Sequence, residues 1–501
     1  VINGSGTGFV RTGAGFLKSA EPALTAEQKN VKRRYLMIRW TGLRLWCKPL
    51  LTGFFFGCVS ISVQSQPSIS NDVPAATDTR YAASSENKPP RLDLTQAIQR
   101  AVQWHPAIGE AVAILYQREE QIAIARAGYY PRIQGGLRSG YDNSYDESKS
   151  SQALVLSVSQ MLYDFGKVSN DVKAARAGIA LGQANLLYTV DQIIRDTAYA
   201  VIEIQRYQNL LNIAEDQIEG VTRILNLAEQ RSRSGASTRS DAVQAQSRLE
   251  GARVTLLQHE ARLQRWQAHL ASLIGESGLR TATNDFPARF LSSCAQSESD
   301  PLKVPEFLIA QARQAEAIAR RDLARSENRP TISLEPSVTH YLDNNYQVGP
   351  NQDRTQWGVF LNVNMPFYQG GSNRAKVRSA DFALRSAEAA LESAKLIVKQ
   401  GLFEAFTQTA SLERSLESLA RRDISISETR DLYRQQYLDL GTRSLLDLLN
   451  AEQEIHQSRF DRQNTISDLR RLQIDCLYNT GELRDAFALT RTPVQGVEIT
   501  P

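Results

Sequence analysis

Few residues in this chain could do chemistry, and the most suggestive of them sit beside a glycine. The five histidines, at positions 105, 259, 269, 340 and 456, have no metal-like spacing, and neither a G-x-S-x-G elbow nor a G-x-x-x-x-G-K phosphate loop occurs. Each His is expected as an isolated helix-surface or loop residue, no metal or cofactor is implied, and enzymatic function finds little support. What remains is a charged pair: Gly441 is followed by Arg443 and Asp447, with Asn450 a further three residues on. Four residues apart on a helix, Arg443 and Asp447 share a face, where an exposed pair contributes roughly 0.3–0.5 kcal/mol. Cys294 and Cys476 are the cysteines beyond the leader, so one disulfide is possible but not a small-domain disulfide framework.

These residues interrupt a very long helical pattern. From Phe367 to Leu489 there is no proline, and apolar or alanine positions fall at 380, 384, 387, 391, 394 and 398, in steps of four and three. Such spacing predicts a helix with a narrow packing seam. Gly441 breaks the run and predicts two antiparallel helices of roughly 60 and 40 residues, about 90 and 60 Å long. A rod of this kind is stable only against other rods.

The design occurs twice. LYDFGKVSNDVKAA (162–175) matches FYQGGSNRAKVRSA (367–380), with Gly166 on Gly371 at an offset of 205. GASTRSDAVQA (235–245) matches GTRSLLDLLNA (441–451), with Gly235 and Asp241 on Gly441 and Asp447 at an offset of 206. YYPRIQGGL (129–137) answers NRPTISLEP (328–336). Three matches in one order indicate an internal duplication of roughly 200 residues. Between them the period changes to two: Ile133, Leu137 and Tyr141; Leu154, Leu156, Val158 and Leu162; Trp357, Val359, Leu361, Val363 and Met365, with residues 332–341 as the partner strand. Each repeat thus supplies two strands of about ten residues, enough to cross a bilayer when tilted. The polar stretches 142–152 and 343–355 connect them. Four strands cannot close a membrane barrel alone, so closure requires several protomers. Tyr129, Tyr130, Tyr163, Phe165, Phe367 and Tyr368 cluster where strands meet helices and suit an interfacial aromatic belt, although packing at a hairpin base is an adequate account of the same cluster.

The remaining chain divides as follows. Residues 1–65 form a leader in which Met37, a basic segment and PLLTGFFFGCVSISV (49–63) have the form of a signal peptide. Cys58 fits a lipidation site poorly. The leader carries nine Lys and Arg against two Glu, so the whole-chain charge of +4 leaves −3 for residues 66–501, and no nucleic-acid partner follows from the basic pI. Residues 66–91 read as a mobile segment, 92–286 as the first repeat, 287–305 as a linker strapped across the rods, 306–489 as the second repeat, and 490–501 as a frayed tail.

The order of helix, Pro131, hairpin, LYDFG (162–166) and long helix, its second copy around Pro330 and MPFYQGG (365–371, with Gly370 and Gly371), and YLDLGTRSLLDLLNAEQE (437–454) together resemble the TolC-like family of outer-membrane efflux and secretion channels. The resemblance covers about residues 90–488. It implies a mixed α/β membrane protein, a homotrimer whose protomers each give four transmembrane strands to a twelve-stranded barrel and antiparallel helices to a periplasmic tunnel. It implies outer-membrane lipid around the barrel, and a periplasmic adaptor with an inner-membrane ABC transporter, or alternatively a proton-driven pump, at the tunnel's inner end. The family's gate lies at the turns, and its residues fall on Arg443 and Asp447, with Ser240 and Asp241 in the first repeat. The second aspartate of the family pattern is Asn450 here, and the expected tyrosine position is Leu438 with Tyr437 adjacent. These departures weaken the transfer of a detailed gate lock. Similarity to the adhesin-export subgroup favours protein secretion over drug or metal efflux.

Overall fold

A computed structural model describes residues 91–142, 149–278, 280–295, 303–342, 353–490 and 493–498. The expected signal peptide, Cys58, the mobile segment before residue 91 and most of both strand-connecting loops lie outside the described residues.

Alternating apolar positions become one antiparallel sheet, in the order β1 (Arg132–Asp142), β2 (Lys149–Tyr163), β3 (Thr331–Tyr341) and β4 (Thr355–Asn364). Leu137 lies opposite Leu154, Leu156 opposite Val338, and Val338 opposite Trp357, so the period-two residues of separate strands combine into one face. That face is exposed: Ile133, Leu137, Trp357, Leu361 and Val363 are each more than 60 % accessible. β2 starts at Lys149, ahead of the apolar alternation, because the polar residues Ser150, Ser151 and Gln152 still pair through their backbones with Tyr141, Gly140 and Ser139. β1 and β4 are the two edges.

The helices are α1 (Leu94–Trp104), α2 (Pro106–Arg126), α3 (Lys167–Arg233), α4 (Arg239–Ile274), α5 (Pro305–Ser326), α6 (Ser372–Gln435), α7 (Leu445–Thr480) and the short α8 (Leu483–Ala486). α6 and α7 hold 64 and 36 residues, against the expected 60 and 40. The repeat has a physical basis at the start of each long helix, where Gly166 and Gly371 adopt φ of 95° and 85°, a left-handed turn that only glycine enters without strain. Along α3 the positions Val190, Ile194, Thr197, Val201 and Ile204, again in steps of four and three, are fully enclosed. Helices α2, α3, α5 and α6 pack side by side in that order, with α4 against α3, and α7 against both α6 and α3.

The largest apolar cluster lies where α1, α3, α4, α7 and α8 converge, around Ile98, Ile194, Leu270, Ile474 and Phe487. The segment from Thr281 to Ala295 crosses here: Gln205 Nε2 donates to the Thr283 carbonyl at 2.6 Å, and Ser293 Oγ to the Gln473 carbonyl at 3.0 Å. Cys294 of this segment is disulfide-bonded to Cys476 of α7, 182 residues away in sequence. Nearby, Arg484 Nη1 lies 2.6 Å from Asp191 inside the core, where burial pushes the Asp191 carboxyl up and Arg484 pulls it back.

Three expectations change. The helical run stops at Thr480 rather than continuing to Leu489, because Gly481 turns it at φ 75° with its backbone against Lys303, leaving no room for a Cβ. The tail is not frayed over residues 493–498: β5 (Pro493–Val494) pairs with β6 (Val497–Glu498), Val494 is buried, and Gln495 Nε2 donates to the His105 carbonyl at 3.1 Å. Two of the histidines are not surface residues. His259 is half-buried between the rings of Tyr207 and Phe460, and His456 is buried with its Nε2 3.2 Å from Glu452 Oε1. Burial opposes ionisation of Glu452, but the hydrogen bond and charge of His456, with Arg430 and Arg223 nearby, outweigh it and hold the carboxyl below its usual range. The Glu452 carboxylate lies directly over Gly220 of α3, so a side chain at 220 would overlap it.

Two outcomes follow from this packing. Cys476→Ser is expected to leave Cys294 free for thiol labelling in the unfolded, non-reduced protein and to lower stability by about 2–4 kcal/mol, given the long loop that the bond closes. A thiol titration that falls on substitution, instead of rising, would show that the bond does not form. Gly220→Ala is expected to cost about 1–3 kcal/mol by forcing Glu452 from its place. In a double-mutant cycle with Glu452→Ala most of that cost should disappear, and strictly additive melting shifts would refute the contact.

Candidate functional site

The two turns carry the residues singled out for chemistry. At the end of α3 the chain passes through Gly235, at φ 77°, and Thr238 caps α4. At the end of α6 a single wide turn, Gln436–Leu440, leads to Gly441 at φ 62°, and Ser444 caps α7. Both helices therefore begin within a few residues of a left-handed glycine, which is why the two motifs match in sequence. Beneath the turns Ile224, Ala245, Tyr437, Leu445 and Leu449 form one apolar cluster that fastens both hairpins together.

Asp241 and Asp447 do the same local work. Asp241 occupies the third position of α4, where its Oδ2 accepts from Ser237 Oγ at 2.5 Å and from the Thr238 N–H at 3.3 Å. Asp447 occupies the third position of α7, accepting from Ser444 Oγ at 3.0 Å while its own N–H donates to Ser444 Oγ at 3.2 Å. Each carboxylate thus satisfies backbone donors left over at a helix start and complements its dipole. Ser240 contributes only locally, through a 2.7 Å bond with the Thr238 hydroxyl.

The second turn is more heavily tied. Arg443 Nη1 lies 3.9 Å from Asp447 Oδ2, its Nε donates to Gln436 Oε1 at 3.0 Å, and its guanidinium lies 4.5 Å from the Tyr433 ring centroid. The Arg443 and Asp447 side chains stay about 40 % exposed, so both charges remain available to whatever faces the turn. Asn450 accepts from Arg248 of α4 at 3.4 Å, beside the stronger 2.6 Å bond from Arg248 to Gln453. Among the described residues, neither Ser240 nor Asp241 bonds to Arg443, Asp447 or Asn450 within one chain.

Tyr437 is buried instead of exposed at the turn. Its ring carries the Arg231 guanidinium at 4.7 Å, and Arg231 Nη1 donates to the Tyr437 carbonyl at 3.1 Å. Arg231 was not singled out from sequence, yet a signal existed: it precedes Tyr437 by 206 residues, the same offset that relates the two turns. Equivalent positions of the two repeats therefore clasp each other. Leu438, at the family's tyrosine position, lines a cleft of about 420 Å³ between α3, α6 and α7 with Arg223, Arg430, Arg434 and Glu452.

At the other end, Pro131 and Pro330 stand immediately before β1 and β3, and Gly166, Gly370 and Gly371 turn the chain from strand to helix with positive φ. Tyr129, Tyr130, Tyr163, Phe367 and Tyr368 are exposed there, Phe367 and Tyr368 more than 80 %, while Phe165 packs edge-on against Tyr163 at 4.6 Å. No described helix is long and apolar enough to cross a membrane, and no described group of three His, Cys, Asp or Glu side chains could hold a metal ion.

The family model for outer membrane efflux proteins matches residues 97–276 and 303–473. The protein CyaE of Bordetella pertussis is 25% identical over 408 residues, covering 78% of this chain and 84% of that protein. The outer membrane protein TolC of Escherichia coli is 23% identical over 435 residues, covering 82% and 86%. Among solved structures, the outer membrane protein VceC of Vibrio cholerae superposes with a TM-score of 0.68 at 17% identity, over 77% of this chain and 96% of that one. Sheet, long helices and turns thus occur together in the arrangement of these channels, and the chain belongs to the outer membrane efflux protein family, as an outer-membrane channel of the TolC type.

Proposed function

We propose that this channel is a homotrimer serving as the exit duct of a type I protein secretion system, carrying a large protein such as an adhesin. The single observation behind the assembly is the sheet: its apolar face is exposed and β1 and β4 are both unpaired edges. Unpaired backbone groups in hydrocarbon cost several kcal/mol each, so the edges must be joined to other copies. Three copies give twelve strands. The aromatic residues at the strand bases then lie at the periplasmic interface, and the turns at Gly235 and Gly441 point across the periplasm toward an adaptor and an inner-membrane ABC transporter.

Cargo choice rests on the similarity to the adhesin-export subgroup; a proton-driven pump for drugs or metal ions would use the same duct. Deleting the gene and comparing extracellular protein with susceptibility to toxic compounds separates the two. Loss of one large secreted protein with unchanged susceptibility is the expected result. Unchanged secretion with new hypersensitivity would replace secretion by efflux.

In the trimer, three copies of Asp447 form an acidic ring at the closed periplasmic aperture, with Asp241 adding charge and Arg443 restraining the turn. Converging carboxylates focus a negative potential and bind multivalent cations. Asp447→Asn removes the charge while leaving an acceptor for Ser444. In planar-bilayer recordings it is expected to reduce cation selectivity and to weaken multivalent-cation block by about tenfold, equivalent to ~1.4 kcal/mol of binding. Asn450→Asp should strengthen the block. Wild-type selectivity and block in correctly assembled Asp447→Asn channels would return Arg443 and Asp447 to the role of a helix cap and surface pair.

A further inference from the structure

The two faces of the helix row differ in a way that the duct does not explain. One cleft of about 880 Å³ is lined by Arg118 of α2, Leu181 of α3, Arg313 of α5 and Ala375 of α6. Helices at opposite ends of a row line one cleft only on its hollow side. The adjoining cleft, about 510 Å³, opens on the same side and uses Asp171, Ala174, Ala175 and Gly178 of α3. A third cleft, of about 310 Å³, uses Ser169, Val172, Lys173 and Arg176 of the same helix. That set is the first displaced by two residues, about 200° around the helix, so the third cleft lies on the opposite, outward face.

This outward cleft is built from two kinds of residue. Arg126, at the end of α2, joins Lys173 and Arg176, and no carboxylate is among its lining residues. Arg126 and Arg176 make no ion pair with any described residue, and Lys173 Nζ has only a 3.4 Å bond to Asn170 Oδ1. Tyr129 and Tyr130 form the other wall, 44 % and 67 % exposed, three and two residues before β1 begins. Three cations without an ion-pair partner among the described residues, next to two exposed tyrosines at the base of a membrane strand, stand at headgroup depth.

We propose that this cleft binds the phosphate of a phospholipid headgroup from the periplasmic leaflet of the outer membrane, one lipid per subunit. The guanidinium groups and the ammonium group meet the phosphate oxygens by charge-assisted hydrogen bonds, and the tyrosine rings lie along the glycerol and upper acyl chain. The bound lipid ties α2 and α3 to the bilayer at the point where the sheet gives way to helices. The inference rests on the outer-membrane location and is independent of the exported cargo and of the Asp447 ring.

Native mass spectrometry of the detergent-extracted, assembled channel tests it with three probes: dioleoyl phosphatidylglycerol, phosphate-free dioleoylglycerol and inorganic phosphate. Phosphatidylglycerol should be retained and dioleoylglycerol should not. The Arg126→Gln, Lys173→Gln, Arg176→Gln variant should lose retention by about tenfold, whereas Arg126→Lys with Arg176→Lys should keep most of it. Should the triple variant fail to assemble, the single Gln variants carry the comparison, each expected to weaken retention. Equal retention by wild type and Gln variants would overturn the proposal, as would a cleft covered by the neighbouring subunit, which gives that result. Displacement of the lipid by equimolar inorganic phosphate would also overturn it, by making the cleft a small-anion site.

Discussion

Backbone pairing in lipid is the constraint on which this structure depends. A sheet whose exposed side carries Ile133, Leu137, Trp357 and Val363 is suited to hydrocarbon, and hydrocarbon offers no partner to a free N–H or C=O. One chain supplies four strands and leaves β1 and β4 open. The rest of the fold is arranged to let copies meet at those edges without breaking step. Each strand pair is followed by a glycine in the left-handed region, Gly166 or Gly371, from which a helix of more than 60 residues starts directly. Sheet and helix row are therefore continuous. The large apolar residues left exposed along α6, such as Phe382, Leu396, Ile397 and Phe403, belong to the same unfinished surface.

Helices this long gain little from local propensity and must be held at intervals. The holding is concentrated at three levels. Near the sheet the row α2, α3, α5 and α6 packs side by side. In the middle, the crossing segment, the Cys294–Cys476 bond and the Arg484–Asp191 pair bind α3, α7 and α8 into one cluster. At the turns the ties are sparse: the apolar cluster around Leu449, the Arg231–Tyr437 clasp and the Arg248 bonds. A crossing close enough to require Gly220 under Glu452 separates the middle from the turns. The end farthest from the sheet is thus joined by a few specific contacts between the two repeats, so local opening there breaks fewer contacts than in the middle.

Much of this was legible in the residue order because periodicity is local. Steps of four and three, alternation by two, and the constant 205–206 offset reflect which side of an element meets apolar neighbours, and any helix or strand imprints that on its own sequence. The boundaries at Gly166, Gly371 and Gly441 were legible for the same reason, since positive φ selects glycine. Other features depend on residues far apart in the chain. Tyr437 reads as a turn residue until Arg231 covers it from the other repeat, and His456 reads as a surface residue until α3 presents Gly220 and encloses Glu452 beside it. The tail reads as unstructured because Pro493 to Glu498 is too short to signal a hairpin, and its stability comes from burial of Val494 and contact with His105. The sequence by itself determined the repeated strand and helix lengths and the turns that separate them, because these follow from local backbone preference and burial pattern. Only the tertiary structure decided which charges are neutralised, whether Cys294 and Cys476 bond and which face of α3 carries the basic cleft, because those depend on distances between residues that the chain order leaves unspecified.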